Sequence, residues 1–186
     1  QQVFEHVRAY GRAARADVTR AIGISAGSAT TLTADLIAAG LLREVEGLPR
    51  ETGRGRPPVA LEVVPEARHV IGIKLADEVH SAVLSDLAGH VVAYATMPSA
   101  HGRKPLDTLL EEIDQLMDLV LKQAGKQLSS ISAVGIGMSG IVDHSTGTVA
   151  WSPLVEGTDV DLRTAFLARF GVPLHVDYET NVLSLG

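Results

Sequence analysis

Residues 15–39 read RADVTRAIGISAGSATTLTADLIAA, and the front of the chain is organised around them. Their spacing predicts a short helix over residues 15–21, a turn at Gly23-Ile24-Ser25 and a second helix over residues 26–39. Val18 and Ala21 are expected to face inward from the first helix, and Ala29, Leu32, Leu36 and Ile37 from the second. Ser25 suits the cap of the second helix, and Gly40 suits its left-handed end. Two helices joined by a glycine turn form a helix-turn-helix, whose second helix can enter the DNA major groove. Taken alone, the stretch also reads as two helices of a bundle.

The flanking residues favour the first reading. Upstream, Val3, Phe4, Val7 and Tyr10 give a short apolar pattern at helical spacing that Gly11 stops. Downstream, residues 41–45 and 59–63 are predicted strands, with residues 47–58 as the loop between them. That loop carries Arg50 and ends in Gly53-Arg54-Gly55-Arg56-Pro57-Pro58. A hairpin after a helix-turn-helix is a wing, and its glycines let guanidinium groups come close to a narrow minor groove. A solvated linker is the bland alternative for the loop. On the winged reading the DNA-binding residues are Arg15, Ser25, Ser28, Thr30, Thr31, Arg50, Arg54, Gly55 and Arg56. The second helix offers no Arg, Asn or Gln, so phosphate and wing contacts are expected to supply much of the affinity.

The net charge of −6 is unevenly spread. Residues 1–65 hold 8 Arg, no Lys and 7 acids, a balance of +1, whereas residues 66–186 hold 8 Lys+Arg and 15 acids, a balance of −7. Nucleic acid is thereby expected to meet the chain through its front segment, where every basic residue is an arginine suited to bidentate contacts. Cysteine is absent, which excludes disulfides and thiolate metal sites within these residues. No run approaches the ~20 apolar residues of a membrane helix, and no basic-then-apolar leader opens the chain. A cytoplasmic protein with no membrane partner is expected. A start at Gln1 instead of Met is expected of a trimmed or processed product.

From residue 66 the pattern changes to long Val, Ile and Leu stretches. Strands are predicted at residues 69–75, 79–86 and 91–97, with Ala88-Gly89 turning between the last two. Leu109, Leu110, Ile113, Leu116, Met117, Val120 and Leu121 put a broad apolar face on a helix over residues 106–124. Its width favours packing on a sheet over a coiled-coil seam. A buried strand at residues 131–137, a helix at residues 162–170 capped by Asp161 and stopped by Gly171, and a strand at residues 174–177 follow. Three meandering strands, helix, strand, helix, strand describe one lobe of an actin-like sugar-kinase fold. The expected fold class is α+β/α/β: a winged helix-turn-helix over residues 1–65, then an incomplete actin-like lobe over residues 66–186.

On these motifs the chain resembles a transcriptional regulator of the ROK family, which groups repressors and sugar kinases. The likeness rests on residues 15–42, the Arg-Gly wing, and Ile71-Gly72-Ile73 with Asp86-Leu87-Ala88-Gly89. It continues in Val134-Gly135-Ile136-Gly137-Met138-Ser139-Gly140-Ile141-Val142-Asp143 and in residues 176–186. Essentially the whole sequence is covered, against only about the first half of a full-length relative. The resemblance implies a repressor of sugar or carbon metabolism genes, bound to double-stranded operator DNA as a homodimer or higher homo-oligomer and controlled by a sugar or sugar-phosphate effector. It assigns Gly140, Trp151, Tyr178 and Glu179 to ligand binding. The family's zinc-binding Cys/His cluster belongs to the half beyond this sequence, and no cofactor is expected within these residues.

The kinase members of the family imply the alternative, an ATP-dependent sugar kinase with an appended DNA-binding domain. They hold ATP phosphates on an Asp-Leu-Gly-Gly-Thr-type turn, where glycines let backbone amides approach the anion. The matching positions here are Lys74-Leu75-Ala76-Asp77-Glu78, with no glycine and with two carboxylates toward the phosphates. The family's Glu-Asn-Asp-Ala-Asn is matched by Asp177-Tyr178-Glu179-Thr180-Asn181. Glu179 is one methylene longer than the base it would replace, and displacements of ~1 Å can cost ~100-fold in rate. Tyr178 replaces a sugar-contacting Asn. Glu179 is otherwise an exposed residue at a helix start, and Trp151 is either a stacking face for a sugar or a core aromatic. No catalytic residue is expected. The seven histidines are scattered, with no pair at i, i+4, and are expected mostly at surfaces and strand ends without a metal. A third reading gives the second segment to assembly alone.

Overall fold

Helices of nine and eight residues do not persist alone in water, so α1 (Gln2–Tyr10) and α2 (Arg15–Ile22) depend on what they bury. The computed structural model describes residues 1–46 and 59–178 and divides the chain into two units. These are Gln1–Ala67 with Leu87–Gly89, and Arg68–Asp86 with His90–Gly186. In the first unit, Val3 and Val7 of α1 and Val18 of α2 share one apolar core with Ala13, Leu42, Leu61 and Val63. The last four come from β1 (Arg12–Ala14), β2 (Leu42–Glu46) and β3 (Val59–Val63), an antiparallel sheet of order β1-β3-β2.

Gly23 takes the left-handed conformation after α2 (φ 71°, ψ 29°), and α3 (Ala26–Ala38) leaves at 117° to α2. The Ser25 hydroxyl caps α3 by accepting the Ser28 amide at 3.1 Å. At the other end Gly40 (φ 71°) lets the amides of Gly40 and Leu41 close on the carbonyls of Ile37 and Leu36, both at 2.9 Å. This paired closure is the Schellman motif.

Several side chains depart from the amphipathic expectation. Tyr10 and Ala21 are exposed, and Tyr10 lies against His6 with ring centroids 4.6 Å apart. On α3, Leu32 is 44% exposed while Thr33 is fully buried beside Ala29. Thr33 tolerates burial because its hydroxyl donates to Ala29 O (2.8 Å) and Thr30 O (3.0 Å), leaving a satisfied polar atom and a methyl for the core. Strand β1 was not foreseen, since three residues carry no readable period.

The second unit is a five-stranded sheet of order β11-β7-β4-β5-β6. Its antiparallel meander is β4 (His69–Leu75), β5 (Val79–Asp86) and β6 (Val91–Pro98). Strand β7 (Ile131–Met138) runs parallel to β4, and β11 (Leu174–Tyr178) parallel to β7. Parallel neighbours require crossovers, supplied by α4 (Leu106–Ala124) and α5 (Leu162–Phe170). Leu109, Ile113, Leu116 and Val120 of α4 are fully enclosed with Ile71, Ile73, Leu75 and Leu84 of the sheet. Burial of each such side chain stabilises by about 1.5–3 kcal/mol. The Asp161 carboxylate caps α5 through the Thr164 amide (3.0 Å). Edge strand β6 has its Tyr94 amide bound to Gln123 Oε1 at 3.2 Å.

A second small sheet, unforeseen because its strands are so short, joins β8 (Ile141–Asp143), β9 (Thr148–Trp151) and β10 (Val160–Asp161) in the order β10-β9-β8.

Leu61→Ala, at a fully enclosed site in β3, is expected to cost about 2–5 kcal/mol in urea denaturation. Leu32→Ala on α3 is expected to change stability by less than about 0.5 kcal/mol. A large loss from Leu32→Ala would return that residue to the core.

Candidate functional site

The first half of α3 presents small and hydroxylated side chains outward: Ala26, Gly27, Ser28, Thr30 and Thr31 are all exposed. Their hydroxyls are largely committed to the helix itself. Thr30 Oγ1 donates to Ala26 O (2.9 Å) and Thr31 Oγ1 to Gly27 O (3.2 Å). Ser25 and Ser28 share a hydroxyl–hydroxyl bond of 2.9 Å. Arg15 is the first residue of α2 and pairs with Glu44 of β2 at 2.6 Å. Arg12 and Arg43 flank Glu62 across the sheet, at 2.9 and 2.7 Å. These bonds hold the Glu62 carboxyl below its usual range, the Arg43 bond first and then the Arg12 bond. Arg50, Arg54, Gly55 and Arg56 lie outside the described residues.

In the second unit, Gly140 has φ 140°, and a Cβ there would collide with the Trp151 carbonyl oxygen. Only glycine fits this approach. Trp151 stands opposite Ile141 across the β8–β9 pair, and both are exposed, Trp151 by 45%. At that exposure Trp151 is not a core residue of the described lobe, which corrects the core reading. Tyr178 ends β11, and Glu179 lies outside the described residues.

The polar feature that sequence reasoning missed is buried. His80, Lys104, Glu112 and Ser99 are all enclosed; His80 stands at the start of β5, as expected of a strand-end histidine, but it is buried and not at the surface. The Ala76 amide donates to His80 Nδ1 (3.2 Å). The proton therefore sits on Nε2, which donates to Glu112 Oε2 (2.8 Å). Lys104 Nζ reaches Glu112 Oε2 at 2.9 Å and Ser99 Oγ at 2.9 Å, and the Ala100 amide reaches Glu112 Oε1 at 2.9 Å. Burial alone would raise the Glu112 carboxyl, but the bonds from Lys104, His80 and Ala100 together bring it below its ordinary value. The sequence signal was a Glu at a core position of an amphipathic helix, which requires buried partners.

Through His80 this cluster binds the turn after β4, the position to which the resemblance assigns the phosphate turn of the kinase members. The Ala76 amide is already bound, and Asp77 and Glu78 are exposed beside it. Asp77 accepts the Gly102 amide at 2.7 Å, which holds its carboxyl below the usual range. Ionised carboxylates at this turn oppose a phosphate by like charge. For the zinc implied by the resemblance, the described residues supply no donor set, since no three His, Asp or Glu side chains converge.

The ROK family profile matches residues 70–186. A putative xylose repressor from Caldicellulosiruptor sp. (strain Rt8B.4) is 31% identical over 172 residues, covering 92% of this chain and 42% of that protein. The DNA-binding transcriptional repressor Mlc of Escherichia coli (strain K12) is 25% identical over 186 residues, covering 98% of this chain and 45% of that protein. The chain thus spans less than half the length of these curated relatives. The crystal structure of a ROK family transcriptional regulator, a homolog of the E. coli MLC protein, superimposes with a TM-score of 0.77 at 20% identity, covering 99% of this chain and 46% of that one. A ROK family glucokinase from Streptomyces griseus, in complex with glucose and AMPPNP, gives 0.53 at 21% identity, covering 62% and 35%. At these identities the structural likenesses show the actin-like fold, with mixed sheets and helices.

Lys104→Met leaves Glu112 enclosed without its cation and is expected to cost about 3–5 kcal/mol. Because the Glu112 carboxyl is held below its ordinary value, its contribution is complete above the ordinary carboxylate range and disappears as pH falls through the folded-state value. Glu112→Gln is expected to flatten the acid limb of a stability–pH curve recorded by urea unfolding between about pH 3 and pH 7. An unchanged acid limb would contradict the assignment.

Proposed function

The chain belongs to the ROK family, and on that premise we propose that it is the DNA-reading and effector-lobe portion of a transcriptional repressor of sugar metabolism. Its first unit is read as a winged helix-turn-helix. The observation that carries this reading is the 117° turn from α2 into α3, followed by the β2–β3 antiparallel pair. An interhelix angle near 90–120° with a tight glycine turn suits insertion of the second helix into a major groove. On this reading Ser25, Ser28, Thr30 and Thr31 meet the major groove, and Arg15 the phosphates beside it. Arg50, Arg54 and Arg56 enter the minor groove from the wing, where Gly55 allows close approach.

The second unit is read as a lobe that answers a sugar or sugar-phosphate effector, with Gly140, Trp151, Tyr178 and Glu179 on the ligand side. The exposed Trp151 ring supports this, since an indole face stacks on the apolar face of a pyranose. Regulation then consists of a ligand-biased change in the spacing of two reading heads in a homodimer, without bond chemistry. The protein acts in the cytoplasm, where its operator lies. Among the described residues no single helix is long and apolar enough to cross a membrane.

The kinase reading draws on the glucokinase likeness, but the bound Ala76 amide and the two carboxylates after β4 argue against a nucleotide there. ATP with magnesium is accordingly expected to leave the thermal melt unshifted.

Selection from random duplex DNA, with and without xylose, glucose and N-acetylglucosamine, is expected to enrich one operator and to find a sugar that weakens its retention. Failure to enrich any sequence would refute the reading. With the operator in hand, Arg54→Ala plus Arg56→Ala is expected to weaken binding and to lower the salt slope by about 2 for each reading head, close to 0.9 per lost phosphate contact. An unchanged slope would remove the wing from the interface.

A further inference from the structure

We propose that α3 reads thymine through its 5-methyl group, with Thr31 and Leu32 as the specificity-determining residues. The inference rests on the DNA-binding reading above and says what that helix recognises. Guanine shows two acceptors in the major groove, and adenine an acceptor beside an amino group; both are read by donors such as Arg, Asn and Gln. Residues 24–39 contain none of these. The threonine hydroxyl protons are committed, since Thr30 and Thr31 donate to the Ala26 and Gly27 carbonyls of their own helix. Ser25 and Ser28 share a hydroxyl–hydroxyl bond of 2.9 Å that uses one of their two protons, and a single serine proton cannot make the paired contacts that read guanine or adenine.

What α3 still offers is apolar. Thr30 and Thr31 are exposed, and back-bonding leaves the methyl as the uncommitted part of each side chain; Leu32 is 44% exposed although its type is usually buried. Gly27, one turn before Thr31, adds no side-chain bulk between them and an approaching surface. Asp35 is exposed on the following turn, and its charge opposes phosphate, so close contact ends near Leu32. A methyl-rich patch bounded in this way matches the one base that carries a major-groove methyl. Cytosine could give its amino proton to a threonine lone pair but leaves Leu32 without a contact.

The test uses the whole chain and the duplex selected from random DNA, with thymine replaced by deoxyuridine one position at a time. Loss of one buried methyl contact is expected to weaken binding about fourfold at one or two positions in each half-site. At those positions Thr31→Ser, which keeps the hydroxyl, or Leu32→Ala is expected to bind thymine and deoxyuridine DNA equally. A selected site that tolerates deoxyuridine everywhere overturns the inference while leaving DNA binding intact. Equal deoxyuridine losses in wild type and both variants overturn it as well, by moving methyl recognition elsewhere. If no sequence is selected at all, the DNA-binding reading fails and this one falls with it.

Discussion

A carboxylate enters an apolar interior only when its charge is met on the spot, and Glu112 is met from three directions. Lys104 supplies the opposite charge, His80 an Nε2 proton and Ala100 a backbone amide. These partners come from the start of β5, from just after β6 and from the segment leading into α4. One side chain therefore ties three parts of the second unit together. Through His80 the same arrangement reaches the Ala76 amide at the turn after β4. A turn organised by an anion from outside and a turn organised by a histidine from within are alternatives, because one amide proton serves one acceptor well. The second unit has the second kind.

In the first unit the governing limit is size. Helices of two or three turns hold together only through shared burial, and Val3, Val7 and Val18 supply it with the sheet residues. α3 departs from this. It places a threonine in the core and leaves a leucine outside, and it can do so because a threonine hydroxyl satisfies itself on its own helix. The exposed leucine lies outside the shared core of the described residues.

Much of the architecture was legible in the residues. Alternation gave the strands from His69 to Leu75 and from Val79 to Asp86, and the 3.6-residue stripe gave α4 from Leu106 to Ala124. Caps at Ser25 and Asp161 and stops at Gly11, Gly23 and Gly171 followed from local chemistry. Strands β1, β8, β9 and β10 did not, since segments of two to four residues carry no period and exist only through their partners. Hydropathy ranks Leu32 above Thr33 for burial and has no means of seeing a hydroxyl satisfied four residues back. The His80–Glu112 pair was hidden for a different reason: its members lie 32 residues apart in sequence, and only the meander brings them together. Trp151 was ambiguous by type, and only its exposure in the fold sets a core place aside.

The Gln123 side chain at the end of α4 has a consequence for the edge of the sheet. An open sheet border offers unpaired amides to any passing strand, and such borders seed polymerisation. At Tyr94 that amide is already taken by Gln123. A newcomer would have to displace a tethered amide before zipping on, at the one place along β6 where an exposed tyrosine would otherwise invite stacking. The last turn of the crossover helix thus occupies one amide of this border in the folded lobe.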